Sequence, residues 1–125
     1  NEISTDEAKL LIKNGIRGVS EGANMPTDQD GIHAFIDAKI LFAPSKAANA
    51  GGVSVSGLEI SQNSARRSWQ DAQLQKLLKD IMTGIHDSCA EHGRSSGSDY
   101  VDYVKGANIA AFIKVADAML AYGVV

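Results

Sequence analysis

Two short stretches hold the residue types that could handle a ligand. The first is Glu21-Gly22-Ala23-Asn24-Met25-Pro26-Thr27. Gly22 lets backbone approach a ligand closely, Asn24 offers a donor and an acceptor, and Pro26 stiffens the loop. A plain turn with a capping Asn accounts for the same residues. The second runs Ala43-Pro44-Ser45-Lys46-Ala47-Ala48-Asn49-Ala50-Gly51-Gly52-Val53-Ser54-Val55-Ser56-Gly57. It opens a long helix, and free N–H groups at such an end suit a carboxylate or phosphate. Gly51 and Gly52 clear side chains from that end, while Ser54 and Ser56 add hydroxyls. Close packing of helix on sheet through small residues is the competing explanation. The stretch is neither a Walker A loop, since Lys46 precedes the glycines, nor a nucleophile elbow, since Ser54 lacks a second flanking glycine.

Other clusters carry less. Asp30, His33 and Asp37 share one helix face, a pattern that a solvated surface produces as readily as a metal or acid–base site. His86, Cys89 and His92 step by three along another helix and diverge too far for tetrahedral zinc. Cys89 falls on an apolar stripe and reads as core. No Ser/His/Asp or Cys/His set of a nucleophilic enzyme is legible.

The elements that position these loops follow from local signals. Ser4 and Glu7 form a capping-box pattern ahead of a helix from Asp6 to Lys13, which Asn14-Gly15 stops. Ile16 to Ser20 and Lys39 to Ala43 read as short strands. Between them a helix capped by Thr27 or Asp28 runs to about Ala38. Strand, crossover helix and strand make a parallel βαβ unit, with both loops at one sheet edge. The rest reads as helices from Gly51 to Trp69, Asp71 to His92 and Asp99 to Tyr122, with a polar Gly93–Ser98 loop between the last two. Leu74, Leu77, Leu78, Ile81, Ile85 and Cys89 line one side of the second of these. The last helix is apolar most of the way round and expects cover on several sides. The fold class is α/β: a partial Rossmann-like half followed by three long helices. Residues 1–50 form the βα part with the ligand loops, and residues 51–125 the helical part. With no G-x-G-x-x-G and a helix before any strand, the chain reads like the back half of a doubly wound domain.

Composition narrows the class. The 125 residues are 44% hydrophobic and 22% charged, enough apolar content to fold rather than stay disordered. Twelve Lys+Arg against fifteen Asp+Glu leave a net charge of −3, which argues against a nucleic-acid partner. A single cysteine excludes an internal disulfide or a multi-cysteine zinc site. Apolar runs fall short of the roughly 18 residues of a spanning helix, and no leader-like segment opens the chain. A cytoplasmic protein with no membrane partner is expected.

Three runs carry a resemblance. Glu21 to Thr27, then Leu41 to Val53, then Ser56-Gly57-Leu58-Glu59-Ile60-Ser61-Gln62-Asn63 closely resemble the hexameric glutamate dehydrogenases. Tyr103-Val104-Lys105-Gly106-Ala107-Asn108-Ile109-Ala110 and Lys114 to Met119 look like that family's C-terminal end. The resemblance implies hydride transfer between L-glutamate and NAD or NADP, giving 2-oxoglutarate and ammonia, in a homo-hexamer. It implies that Ser56 hydrogen-bonds the substrate's side-chain carboxylate and that Val53 lines that pocket. It places Asn24 and Asn49 beside the nicotinamide ribose and carboxamide. The family's catalytic lysine and aspartate and its glycine-rich turn lie upstream of the matching stretch, with no counterpart here. The chain then reads as a C-terminal fragment of the nucleotide-binding domain, inactive alone and open to self-association. The alternative is a non-catalytic helical interaction module derived from that fold.

Overall fold

Ser4 begins the first helix as its spacing to Glu7 predicts. The computed structural model describes residues 2–123. In it Ser4 Oγ accepts from Glu7 N at 3.4 Å, and Glu7 Oε2 accepts from Ser4 N at 2.8 Å. The resulting α1 spans Thr5–Lys13 and ends at Asn14 and Gly15, the latter at φ +78°. After β1 (Gly18–Ser20), α2 (Gln29–Asp37) is capped by Asp28, whose Oδ1 accepts from Gly31 N at 2.6 Å. The same carboxylate accepts from Thr5 N at 2.8 Å, so one side chain serves the first turns of α1 and α2.

β2 (Leu41–Ala43) pairs with β1 in parallel, with Gly18 opposite Leu41, Val19 opposite Phe42 and Ser20 opposite Ala43. The βαβ unit forms as the alternation of elements predicts, within a mixed α/β fold of several helices around a two-stranded sheet. Ala8, Phe35 and Phe42 are the buried centre, and the two rings stack with centroids 5.7 Å apart. Ile12, Ile32 and Val104 pack around them. Burying such side chains is worth about 1.5–3 kcal/mol each, and this small core fixes the sheet edge where both loops end.

The strands are shorter than the residue pattern predicts. Lys39 adopts φ +54° and Ile40 N donates to Phe35 O, so that stretch closes α2 instead of joining the ladder. After β2 comes an unanticipated single turn, α3 (Ser45–Ala48), then α4 (Ala50–Ala65). α4 stops at Arg66 (φ +51°) and does not reach Trp69, whose backbone N–H instead donates to Gln62 Oε1 at 2.6 Å.

α5 (Asp71–Gly93) and α6 (Tyr103–Tyr122) pack along one another. Their approach depends on two glycines. A Cβ at Gly106 would overlap the Cys89 carbonyl, and one at Gly93 would overlap the Asp102 carbonyl. The polar loop between the helices is tied by a bridge between Arg94 and Val101, and Asp102 caps α6, so Asp99 to Asp102 lie outside the helix expected there. The far half of α6 leaves Phe112, Met119, Leu120 and Tyr122 exposed. No helix among the described residues is long and apolar enough to cross a membrane.

Candidate functional site

Parallel pairing sets the loops after β1 and β2 side by side, at the carboxyl ends of the strands. Asn49 Nδ2 donates to Asn24 Oδ1 at 2.6 Å, joining the two loops through their carboxamides. Asn49 closes α3 and precedes α4, so Asn49, Val53 and Ser56 fall at i, i+4 and i+7 along one stripe. Val53 is 72% exposed, and Asn24 and Ser56 are exposed too, leaving the stripe open to solvent. A Cβ at Gly22 or Gly52 would meet nothing within 4 Å, so open space flanks both loops.

The hydroxyls read as ligand donors are bonded back to carbonyls of their own helix. Ser54 Oγ donates to Ala50 O at 2.8 Å, and Ser56 Oγ donates to Gly52 O at a longer 3.3 Å. Both keep lone pairs, and the long Ser56 bond is the easier to exchange for a ligand. Lys46 lies away from the stripe: its ammonium donates to Asn108 Oδ1 on α6.

The two loops also meet below the surface. Glu21 is 3% exposed; its Oε1 accepts from Thr27 N at 3.3 Å and its Oε2 from Ser45 N at 2.8 Å. Pro44 gives α3 no side-chain cap, and Glu21 supplies one from the other loop.

The remaining candidates do not assemble. His33 and Asp30 stand 4.0 Å apart on an exposed face of α2, and Asp37 is likewise exposed. His86 leans on Tyr103, Cys89 is buried, and burial pushes its thiol pKa up. No group of three His, Cys, Asp or Glu residues among the described residues converges as a metal site would need. A groove of about 760 Å³ runs between α5 and α6, lined by Ile81, Ile85, His92, Ala107 and Lys46, and neither Asn24 nor Asn49 lines it.

A family pattern described as Glutamate/Leucine/Phenylalanine/Valine dehydrogenase matches residues 1–123. The chain belongs to this dehydrogenase family. Among its relatives, glutamate dehydrogenase of Bacteroides thetaiotaomicron is 54% identical over all 125 residues, which make up 28% of that protein. NADP-specific glutamate dehydrogenase of Salmonella typhimurium is 53% identical over the same length, again 28% of that protein. The NAD-specific enzyme of Porphyromonas gingivalis is 48% identical over 99% of this chain and 27% of its own. The crystal structure of Plasmodium falciparum glutamate dehydrogenase superposes with a TM-score of 0.92 at 45% identity, covering all of this chain and 27% of that one. The chain thus spans little more than a quarter of the length of these dehydrogenases.

In this dehydrogenase segment the residue that sequence reasoning passed over is Glu21. Its signal was a carboxylate at a strand end together with a helix whose N-cap position is Pro44, a residue with no side-chain acceptor to cap it.

Proposed function

We propose that this chain is the C-terminal part of the nucleotide-binding, Rossmann-like half of a glutamate dehydrogenase. In this reading residues 1–50 carry the ligand loops and residues 51–125 the helical support. The enzyme interconverts L-glutamate with 2-oxoglutarate and ammonia, using NAD or NADP, and works as a cytoplasmic homo-hexamer. The single observation that carries the assignment is the Asn24–Asn49 bond at the carboxyl ends of two parallel strands, with Val53 and Ser56 continuing from Asn49.

The donor set fits the nicotinamide end of a coenzyme. Two carboxamides offer neutral donors and acceptors to a ribose and an amide, while the Lys46 ammonium is engaged with Asn108. When bound, the nicotinamide supplies the hydride acceptor. Asn24 and Asn49 orient it, Val53 walls the substrate side, and Ser56 donates to the substrate's side-chain carboxylate by exchanging its bond to Gly52 O. No residue of this stripe is placed to move a proton, so the chain binds and orients without completing the reaction.

The test is to assay the purified 125-residue chain for glutamate-dependent reduction of NAD and NADP. No reduction is expected. Turnover that disappears in Ser56→Ala would show that the chain carries its own proton-transfer group and overturn this division of labour.

The second reading, a helical interaction module, rests on the exposed apolar face of α6. It predicts that Asn24 and Asn49 variants leave coenzyme affinity untouched.

A further inference from the structure

A buried carboxylate needs partners, because removing its charge from water is costly unless hydrogen bonds replace the lost hydration. Glu21 is such a group, and among the described residues no Lys, Arg or His pairs with it. Its hydrogen bonds run to two backbone N–H groups, Thr27 N at the end of the first loop and Ser45 N at the start of α3. Its own backbone N–H donates to Ala43 O at 3.1 Å, which prolongs the β1–β2 ladder by one residue. The carboxylate therefore sits between the ends of both strands and spans them. The Ser45 bond, at 2.8 Å, is the tighter arm of this span, and the Thr27 bond, at 3.3 Å, is the looser one.

Asn24 lies between Glu21 and Thr27, and Asn49 lies one short turn beyond Ser45. We infer that Glu21 is a positioning residue for the nicotinamide end of the site, its carboxylate clamping the two loops so that Asn24 and Asn49 meet. The inference rests on the coenzyme reading given above and adds to it a residue that touches neither coenzyme nor substrate. Gln fits the same space but presents one carbonyl and one NH2 group, so it satisfies only one of the two N–H donors. Asp is one methylene too short to reach both.

The experiment uses the full-length dehydrogenase that carries this segment. Glu21→Gln is expected to raise KM for the coenzyme roughly tenfold while KM for glutamate stays within about twofold. Ser45→Pro provides a second route, since proline is tolerated at a first helical position and removes the N–H that donates to Glu21 Oε2, together with the Ser45 hydroxyl. It is expected to raise coenzyme KM in the same way. A double-mutant cycle separates positioning from general support: in an Asn49→Ala background, Glu21→Gln should add less than about twofold. In the 125-residue chain, the Thr27 and Ser45 amides should exchange slowly, with protection lost at one or both in Glu21→Gln.

If Asn24→Ala and Asn49→Ala raise coenzyme KM but Glu21→Gln and Ser45→Pro do not, the positioning role is wrong and the coenzyme reading stands. Equal rises in both KM values, additive with Asn49→Ala, would make Glu21 merely structural and overturn the inference. If the Asn variants themselves leave coenzyme KM unchanged, the coenzyme reading falls and the inference falls with it.

Discussion

Asn49 Nδ2 donates to Asn24 Oδ1 at 2.6 Å, across 25 positions of sequence, and this bond joins the two loops that end the parallel strands. A neutral side-chain hydrogen bond contributes about 0.5–1.5 kcal/mol net. In the dehydrogenase carrying this segment, Asn24→Ala and Asn49→Ala should each weaken coenzyme binding by roughly threefold to tenfold. The double variant should be little worse than either one, because each loses the same paired arrangement. Coenzyme titration followed by nucleotide fluorescence checks both statements.

The α5–α6 crossing predicts opposite signs for two glycine substitutions. Gly106→Ala places a methyl against the Cys89 carbonyl, with backbone on both sides, and should cost about 1–3 kcal/mol. Gly84→Ala sits in the interior of α5 with nothing within 4 Å of the new Cβ, and should stabilise by about 0.5–1 kcal/mol. Urea midpoints of the 125-residue chain measure both. Two destabilisations would mean that α5 gains nothing from helix propensity at that site.

Acid should loosen the α1–α2 pair. The Gly31 and Thr5 hydrogen bonds hold the Asp28 carboxyl below its usual range, and Ser4 does the same for Glu7. A carboxyl with a lowered folded-state pKa contributes stability that is present above its unfolded value and lost as pH falls through the folded one. The melting temperature is therefore expected to be level near neutrality and to drop as pH falls through and below about 4. Asp28→Asn should lower it at neutral pH and flatten part of the acid slope. An unchanged slope in Asp28→Asn would show that other groups carry it.

Which features the residues alone disclose depends on how local the physics is. Ser4 and Glu7 cap α1 and Gly15 ends it through contacts within a few positions, so their spacing was enough, and for α2 it narrowed the cap to Thr27 or Asp28, of which Asp28 is the one. α3 was not legible, because its cap comes from Glu21, 24 positions before Ser45. The end of α4 was misplaced for a similar reason. Arg66, Arg67 and Ser68 carry no stop signal, and the turn is held by Gln62 reaching Trp69 N from seven positions back. In the site, Val53 and Ser56 fall on the helix expected from Gly51, whereas Asn49 lies before it and joins their stripe only because α3 runs almost directly into α4. The Asn24–Asn49 contact does not follow from helical spacing, since it exists only because strand pairing sets two loops side by side.

Core packing yields a further expectation. Phe35 and Phe42 are the largest fully buried side chains among the described residues, and their stack holds α2 on β2 behind the site. Phe35→Ala should cost about 3–5 kcal/mol, a large share of a small domain's stability. The chain should then lose its near-ultraviolet dichroism at room temperature. A cooperative unfolding transition at an unchanged urea midpoint would show that the two rings do not organise this core.

The division of the stripe into a coenzyme end and a substrate end is tested most directly by the KM pattern of two variants in the full-length dehydrogenase. Ser56→Ala should raise KM for glutamate roughly tenfold and leave coenzyme KM within about twofold, and Asn49→Ala should do the reverse. If both variants leave both constants unchanged, or if the two effects are exchanged, the roles assigned to this stripe are contradicted.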